Sequence, residues 1–321
     1  MALPILVLLA ALTTATELTP ISKGTVKFSS DDDYNKVPSQ FHLAPHEFPY
    51  EMELQYDLKH SGVEVYAVRF PSPVASPHAA NNTVYAEYFK PKKPGQYPAV
   101  IVLDILDGAA LVSRGEAMWL AMNGVAAMSM TMPYYGPRRP AEGKHRMLST
   151  DVDQSIANVR QAVLDGRRAV AWLAAQPEVD ATRLSVVGTS LGSFTGGLLA
   201  AAEPRIRSAC LLLSGGGLVD AYAEHPQAVL VLQGLRLIGI TKEKLRRLID
   251  PLDPLTYADR LKEKKLLFIG ASRDDVVPPA ALRRLWEATG KQEILWYDAT
   301  HVGMAFYVFP AMNAIIDHVK K

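Results

Sequence analysis

A serine with glycine two positions away on either side is the feature of this 321-residue chain that most directly suggests chemistry. Ser190 lies between Gly188 and Gly192. The apolar residues 184–187 before it predict a buried strand, and the small apolar residues 194–202 after it predict a tightly packed helix. A serine in a sharp turn from strand to helix is a nucleophile elbow, whose glycines let the flanking backbones approach closely. The pattern therefore predicts Ser190 as a nucleophile.

A serine nucleophile needs a general base and an acid that orients the base, and after an elbow of this kind the acid precedes the histidine along the chain. Residues 265–270 predict a strand, and Asp274 lies in the loop that follows it. Residues 293–297 predict the last strand, and His301 comes soon after it. Of the eight histidines, only His301 stands between a late strand and a final helical run, although a solvated loop histidine is the alternative interpretation. We expect His301 to be the base and Asp274 the acid.

Two other aspartates stay open as the acid. Asp275 is adjacent to Asp274, and only one of the pair can point toward His301. Asp298 also precedes His301 closely, but an aspartate so near in sequence more typically closes a turn. The residues alone therefore leave three candidates for this role.

Three stretches of the chain are similar to a known family. Residues 165–184 lead into the elbow, residues 253–258 precede the acid strand, and residues 274–278 have the spacing of an acid loop. In these stretches, from roughly residue 85 to the C-terminus, the chain resembles the α/β-hydrolase superfamily, in its dienelactone-hydrolase and acetyl-xylan-esterase-like branch. The resemblance implies an α/β fold with the Ser190, Asp274 and His301 triad, and its acid-loop spacing favours Asp274 over Asp275.

The alternation of predicted strands and helices from residue 100 onward independently indicates a doubly wound, mostly parallel sheet. Residues 98–103 predict the strand whose following loop, residues 104–108, supplies one donor of an oxyanion hole in this superfamily. We assign the two oxyanion donors to the backbone N–H groups of Leu191 and Leu106. The family pattern of an acidic residue, an apolar pair and glycine resembles residues 105–108. We expect Asp104 and Asp107 to form hydrogen bonds within the loop and to face away.

Composition excludes several classes of site. A formal net charge of +1 and a pI near 7.8 do not give the basic footprint of a nucleic-acid-binding protein. The single cysteine, Cys210, excludes an intrachain disulfide and is expected in the core. Since no metal-ligand spacing or phosphate-binding loop occurs in the sequence, we expect no cofactor. The basic segment at residues 137–140 has two interpretations, a contact to an anionic substrate or a solvated loop.

The chain divides into three predicted regions. Residues 1–15 predict a signal peptide, because residues 3–12 are apolar, small residues follow at 13–15, and ten residues are too few for a stable membrane span. This predicts a secreted or periplasmic protein. Residues 16–49 predict an irregular N-terminal arm, and residues 50–321 the α/β-hydrolase domain.

An insertion interrupts the domain at residues 218–261, after the sixth predicted strand, where this superfamily places its cap. It contains predicted helical runs at residues 241–249 and 254–261. Four apolar side chains in it either line an acyl pocket or pack within the insertion. They are Leu235, Leu237, Ile238 and Ile240.

These observations together predict a serine carboxylesterase that forms an acyl-enzyme on a small-molecule or polymer ester, with carbohydrate and short-chain acyl esters among the open substrate classes. The alternatives are a catalytically silent secreted binding protein of the same fold, a serine peptidase and a dienelactone-hydrolase-like enzyme. Retention of all three triad residues argues against the silent protein. We expect no β-propeller of the kind that peptidase relatives carry, because the N-terminal portion is short for one. Dienelactone hydrolase has cysteine at the elbow, where this chain has Ser190.

Overall fold

The computed structural model describes residues 21–29, 37–149, 151–223 and 241–321. Their framework is a ten-stranded sheet with the order β1-β2-β3-β4-β6-β5-β7-β8-β9-β10. The strands are β1 Ser22–Phe28, β2 His46–Leu58, β3 Val63–Pro71, β4 Thr83–Pro91, β5 Tyr97–Leu103, β6 Ala126–Met130, β7 Val179–Thr189, β8 Ile206–Leu212, β9 Lys265–Ala271 and β10 Glu293–Tyr297.

Helices cover both faces of the sheet. The α-helices of the described part of the chain are α1 Leu111–Met122, α2 Val152–Ala174, α3 Leu191–Ala202, α4 Leu218–Ala223, α5 Lys242–Ile249, α6 Ala258–Lys262, α7 Pro279–Ala288 and α8 Val308–Lys320. Buried side chains of α1 and α8 share one apolar core with the sheet, whereas α2, α3, α6 and α7 share the other. The result is a three-layer arrangement with a core on each side of the sheet.

Strand direction determines where a site can form. The pairs from β6 through β5, β7, β8 and β9 to β10 are parallel, whereas β1 to β4 pair antiparallel and β4 pairs antiparallel with β6. The carboxyl ends of the parallel strands therefore meet at one edge, which is where open α/β sheets bind ligands. The loops after β5, β7, β9 and β10 all leave from this edge. This arrangement confirms the predicted doubly wound, mostly parallel α/β fold.

The N-terminal region is more regular than the sequence indicates. The prediction of an irregular arm over residues 16–49 is wrong for Ser22–Phe28, which pair residue by residue with β2 as the edge strand of the sheet. β2 also begins at His46, before the predicted start of the domain at residue 50. Only Val26 and Phe28 of β1 and Phe48 of β2 are fully buried, so the period-two apolar pattern is too weak to predict either strand.

The insertion predicted at residues 218–261 contains α4, α5, α6 and two short 3-10 turns at Asp250–Leu252 and Pro254–Tyr257. α4 and α5 are joined by ion pairs in which Asp220 contacts Arg246 at 2.7 Å and Lys242 at 2.8 Å. Residues 224–240 lie outside the described residues, and with them the four apolar side chains assigned to an acyl pocket. The predicted signal peptide at residues 1–15 also lies outside them.

The C-terminal helical segment Val302–Lys320 is long and apolar enough to cross a membrane by length and composition alone, with a mean hydropathy of 1.3. In the structure, α8 instead packs Ala311, Met312 and Ile315 into the core between the sheet and α1. Part of its apolar composition is therefore used in the core of the domain, since 39% of its apolar 18-residue window is buried.

Candidate active site

The turn between β7 and α3 places Ser190 in a backbone conformation that few non-glycine residues adopt. Its φ is 54° and its ψ is −120°, a conformation that costs on the order of 1–3 kcal/mol. The surrounding backbone holds it there. The Ser190 N–H donates to the Leu212 carbonyl at 2.9 Å, and the Ser190 carbonyl accepts from the Ser193 N–H at 2.8 Å and its hydroxyl at 2.6 Å. The side chain is thereby presented at the N-terminus of α3.

Both flanking glycines are required by close backbone contacts. A Cβ atom at Gly188 would overlap the Gly192 carbonyl, so the strand and the helix approach more closely than a side chain allows. A Cβ atom at Gly192 would overlap the Leu103 carbonyl and lie 2.7 Å from the Asp104 oxygen. The second contact matters for the site, because it presses the elbow against the end of β5 and the start of the loop at residues 104–108.

The structure brings Ser190, His301 and Asp274 together in one hydrogen-bonded row. His301 Nε2 lies 3.0 Å from Ser190 Oγ, and His301 Nδ1 lies 2.9 Å from each oxygen of Asp274. Because a carboxylate accepts but does not donate, Nδ1 carries the proton, and Nε2 is then free to accept from the serine hydroxyl. The Asp274 side chain is 4% exposed and that of His301 is 13% exposed, so water is largely excluded from this contact.

The three candidate acids take different positions. Asp274 Oδ1 also accepts the N–H groups of Val276 at 2.9 Å and Val277 at 2.7 Å, which hold the carboxylate against the imidazole. Among the described residues, Asp275 reaches only the backbone N–H of His301, at 3.3 Å. Asp298 pairs with the Arg273 guanidinium at 2.7 Å and is 78% exposed. Of these three carboxylates, the structure places only that of Asp274 on the histidine ring.

The two backbone groups assigned to the oxyanion hole lie on neighbouring segments. Leu191 is the first residue of α3, where an N–H group has no acceptor within the helix. Leu106 lies in the loop after β5, whose bend is held by Tyr135: the Tyr135 Oη accepts the Asp107 N–H at 2.6 Å and donates to the Ile105 carbonyl at 3.2 Å. In the part of the chain that the structure describes, no hydrogen bond involves the Leu106 N–H. It remains available to a bound carbonyl oxygen.

Acidic and basic side chains fasten this loop to its neighbours. Asp107 contacts Arg139 at 3.2 Å and Arg146 at 2.9 Å, so its carboxylate bonds to residues outside the loop and not within it as expected. The sequence allows two interpretations of the basic segment at residues 137–140, a contact to an anionic substrate or a solvated loop, and its two arginines differ in burial. Arg138 is fully buried against Asp165 at 2.7 Å and cannot contact a substrate, whereas Arg139 is partly exposed.

Two buried carboxyl groups near the elbow were not predicted as site residues. Asp104 Oδ2 accepts the Ala110 N–H at 2.8 Å, and Glu116 Oε1 accepts the Thr189 hydroxyl at 2.7 Å. Burial raises the pKa of Glu116 to about 7, with a further rise from Asp104 and an opposing effect of the Thr189 bond. Burial also raises the pKa of Asp104. Glu116 is one acid in an amphipathic helix, and such an acid more typically lies on the solvent face.

Metal ligands are not assembled around these groups: within residues 21–29, 37–149, 151–223 and 241–321, no set of three or more histidine, cysteine or acidic side chains is arranged to hold an ion. What the geometry provides is a hydroxyl within hydrogen-bond distance of an imidazole, which is in turn bonded to a carboxylate, with two backbone N–H groups on neighbouring segments. This arrangement suits nucleophilic acyl transfer.

Comparison with known proteins places this geometry in context. Residues 29–212 match the model of the acetyl xylan esterase (AXE1) family. An uncharacterised protein of Mycobacterium tuberculosis (strain CDC 1551 / Oshkosh) is 27% identical in an alignment of 237 positions that covers 70% of this chain and 54% of that protein. The chain therefore spans about half the length of the curated relatives it matches.

Two solved structures are similar over most of their length. Acetyl xylan esterase 1 from Thermoanaerobacterium sp. JW/SL YS485 has a TM-score of 0.65 at 20% identity, covering 88% of this chain and 90% of its own. An acetyl xylan esterase from Paenibacillus sp. R4 has a TM-score of 0.66 at 20% identity, covering 84% and 88%. At this identity the likeness shows the shared fold.

Proposed function

Because this chain belongs to the acetyl xylan esterase family, we propose that it is a serine carboxylesterase that hydrolyses short-chain acyl esters, with acetate esters of carbohydrates as its natural substrate class. One observation carries the proposal: the unbroken row from Ser190 through His301 to Asp274, with distances of 3.0 Å and 2.9 Å. Nucleophile, base and orienting acid are then within hydrogen-bond reach of one another, as acyl transfer requires.

In the acylation half of the proposed reaction, His301 Nε2 takes the hydroxyl proton as Ser190 Oγ attacks the ester carbonyl carbon. The resulting oxyanion accepts hydrogen bonds from the Leu191 and Leu106 N–H groups, and removal of one such donor costs about 100- to 1,000-fold in rate. The imidazolium then gives its proton to the departing alcohol oxygen, and the C–O bond of the ester breaks. The Asp274 carboxylate stabilises the positive charge on the ring and keeps the proton on Nδ1.

In the deacylation half, a water molecule takes the place of the alcohol. His301 accepts a proton from this water as its oxygen attacks the acyl-enzyme carbonyl. The same two N–H groups hold the second oxyanion. Collapse returns the proton to Ser190 Oγ and releases the carboxylic acid. Each catalytic group ends in its starting protonation state, so the proposed cycle needs no further reactant.

The substrate part of the proposal has a separate basis. Two of the solved structures with similar folds are acetyl xylan esterases by name. The apolar segment at residues 3–12 supports a secreted or periplasmic location, where polymeric carbohydrate esters would be encountered. Acetate release from acetylated xylan, measured beside small acetate esters, tests whether the polymer is used.

The first experiment is hydrolysis of p-nitrophenyl esters of increasing acyl length by the wild type, Ser190→Ala and His301→Ala. We expect the acetate ester to be the best substrate and each variant to lose at least about 1,000-fold in kcat. A fluorophosphonate probe should label the peptide containing Ser190 in the wild type and not in Ser190→Ala. Unchanged turnover in Ser190→Ala would refute the serine mechanism, and an unlabelled wild type would support the silent-protein alternative.

A further inference from the structure

We propose that Glu116 is a positioning residue for the reaction. Through the Thr189 hydroxyl, it holds the nucleophile elbow against α1. Asp104 bonds the same helix to the oxyanion loop, residues 104–108, which carries Leu106. This inference rests on the proposed function, because it concerns the placement of the two oxyanion donors and the nucleophile. In this proposal, α1 sets the distance between the two proposed oxyanion donors, the N–H groups of Leu106 and Leu191.

The first contact lies directly behind the nucleophile. Thr189 is the last residue of β7 and precedes Ser190, and its hydroxyl donates to Glu116 Oε1 at 2.7 Å. Glu116 is 6% exposed and lies in the middle of α1. A buried hydrogen bond to a carboxyl group is among the stronger ones in proteins. It therefore restrains the residue next to the strained turn at Ser190.

The second contact joins the same helix to the oxyanion loop. Asp104 is the first residue after β5 and stands two positions before Leu106. Its Oδ2 accepts the N–H of Ala110, the residue that caps the start of α1, at 2.8 Å. Since a helix is stiff and rises about 1.5 Å per residue, the bonds at Ala110 and Glu116 relate the loop to the elbow by a fixed length of α1.

Burial of the Asp104 and Glu116 carboxyl groups lowers the stability of the fold. Asp104 Oδ1 and Glu116 Oε2 are fully buried and have no hydrogen-bond partner in the described part of the chain. Neither group forms an ion pair there; the neighbouring Arg114 pairs with Glu87 instead. Two buried carboxyl groups without a cation destabilise a fold, and an apolar pair of similar volume would fill the space at lower cost. The free-energy cost of burying these two carboxyl groups beside Ser190 is explained if they position the nucleophile.

The proposal predicts how kcat and KM separate. Thr189→Val removes the donor but keeps the shape of the side chain, and Glu116→Ala removes the acceptor. We expect kcat to fall about 10-fold or more in each, because small displacements of reacting groups are costly, with KM within about twofold. Thr189→Ser and Glu116→Gln retain a donor and an acceptor, so each should remain near the wild-type kcat.

A matched control separates positioning from stability. Ser185 lies on the same strand as Thr189, and its hydroxyl lies 2.6 Å from that of Ser208 on β8, also buried. Ser185→Ala removes a buried hydroxyl bond of the same kind away from the elbow. It should lower the free energy of unfolding as Thr189→Val does and leave kcat unchanged. The double variant Thr189→Val/Glu116→Met removes both polar partners, so it should regain stability while kcat stays low.

The deciding experiment measures kcat and KM for p-nitrophenyl acetate, the rate of fluorophosphonate labelling at Ser190, and urea unfolding for all these variants. Slower turnover and slower labelling in Thr189→Val, rescue in Thr189→Ser and normal rates in Ser185→Ala support the inference. Wild-type rates in Thr189→Val, or a kcat that recovers with stability in the double variant, overturn it. An unlabelled wild type would overturn the proposed function itself, whereas equal labelling in wild type and Thr189→Val overturns this inference alone.

Discussion

At the scale of single residues, the site depends on how one carboxylate is held. Asp274 accepts from the His301 ring and from two backbone N–H groups, at 2.7 Å and 2.9 Å, so its orientation is fixed before any substrate arrives. Asp275 and Asp298 share the same edge of the sheet without reaching the ring. The difference lies in which side chain the turn after β9 directs inward.

Substitution of the acids should separate them by rate. We expect Asp274→Asn to lower kcat about 1,000- to 10,000-fold, because an amide in this position favours the wrong histidine tautomer. Asp275→Asn and Asp298→Asn should change kcat by no more than about threefold. Hydrolysis of p-nitrophenyl acetate by the three variants checks this. A larger loss of kcat in Asp298→Asn than in Asp274→Asn would identify Asp298 as the acid.

The buried carboxyl of Glu116 gives a prediction about pH and stability. Its folded-state pKa of about 7 lies above the ordinary value of 4.5, so the folded protein holds this proton more tightly than the unfolded chain does. The stabilisation is therefore complete below pH 4.5 and is lost as the pH rises to 7. Relative to Glu116→Gln, the wild type should lose stability on the order of 3 kcal/mol across this window. Urea unfolding of both proteins from about pH 5 to about pH 8 tests it, and a pH-independent difference would contradict it.

At the scale of elements, the site is built where β7 turns into α3 against the end of β5. Gly192 is the point of contact, because its backbone packs on the Leu103 and Asp104 carbonyl oxygens. The same contact places the loop bearing Leu106 beside the helix start bearing Leu191. Packing between three elements therefore brings together the two backbone segments to which the oxyanion donors are assigned.

A single added methyl group tests this packing. Gly192→Ala should push the end of β5 away from α3, which lowers kcat about 100-fold and also the melting temperature. Gly115→Ala is the matched control, since a Cβ atom there meets nothing within 4 Å on the exposed side of α1. It should raise stability by about 0.5–1 kcal/mol without changing turnover. Kinetics and thermal melts of the two variants measure these effects. Normal turnover in Gly192→Ala would show that this close packing is not needed for catalysis.

At the scale of the whole molecule, the buried ion pair of Arg138 with Asp165 joins segments that are distant in sequence. Arg138 and Asp165 are both 0% exposed and lie 2.7 Å apart, and Arg138 also donates to the Asn81 carbonyl at 2.9 Å and the Thr131 carbonyl at 3.0 Å. Asp165 accepts the Ser72 hydroxyl at 2.6 Å. The pair thus fixes the loop after β6 to α2 and to the segment between β3 and β4.

Removal of one partner should be costly for the entire domain. Arg138→Met leaves the Asp165 carboxyl buried without its cationic partner, so we expect a loss of about 3–5 kcal/mol in the free energy of unfolding. The double variant Arg138→Met/Asp165→Leu removes both charges and should recover most of that loss. Urea unfolding gives these values, and the half-buried pair of Arg183 with Asp180 provides a control in which Arg183→Met has a smaller effect. Equal effects at both pairs would show that burial does not decide the outcome.

Local patterns in the sequence determined the main elements of the protein. The apolar run before Ser190 and the small residues after it reflect a buried parallel strand and a packed helix. Such patterns report the immediate environment of each residue. The family resemblance is confirmed by the match over residues 29–212, which includes the stretch at residues 165–184, and the α/β fold is confirmed by the sheet itself.

The tertiary structure decided what depends on contacts between distant segments. β1 exists because β2 pairs with it, not because its own residues alternate. The choice of Asp274 among three aspartates depends on the direction of one turn relative to His301. The bond from Thr189 to Glu116 joins residues 73 positions apart, and no pattern within either segment reports it. Burial, pairing and side-chain direction arise from packing of the complete chain, and these properties give the proposed site its geometry.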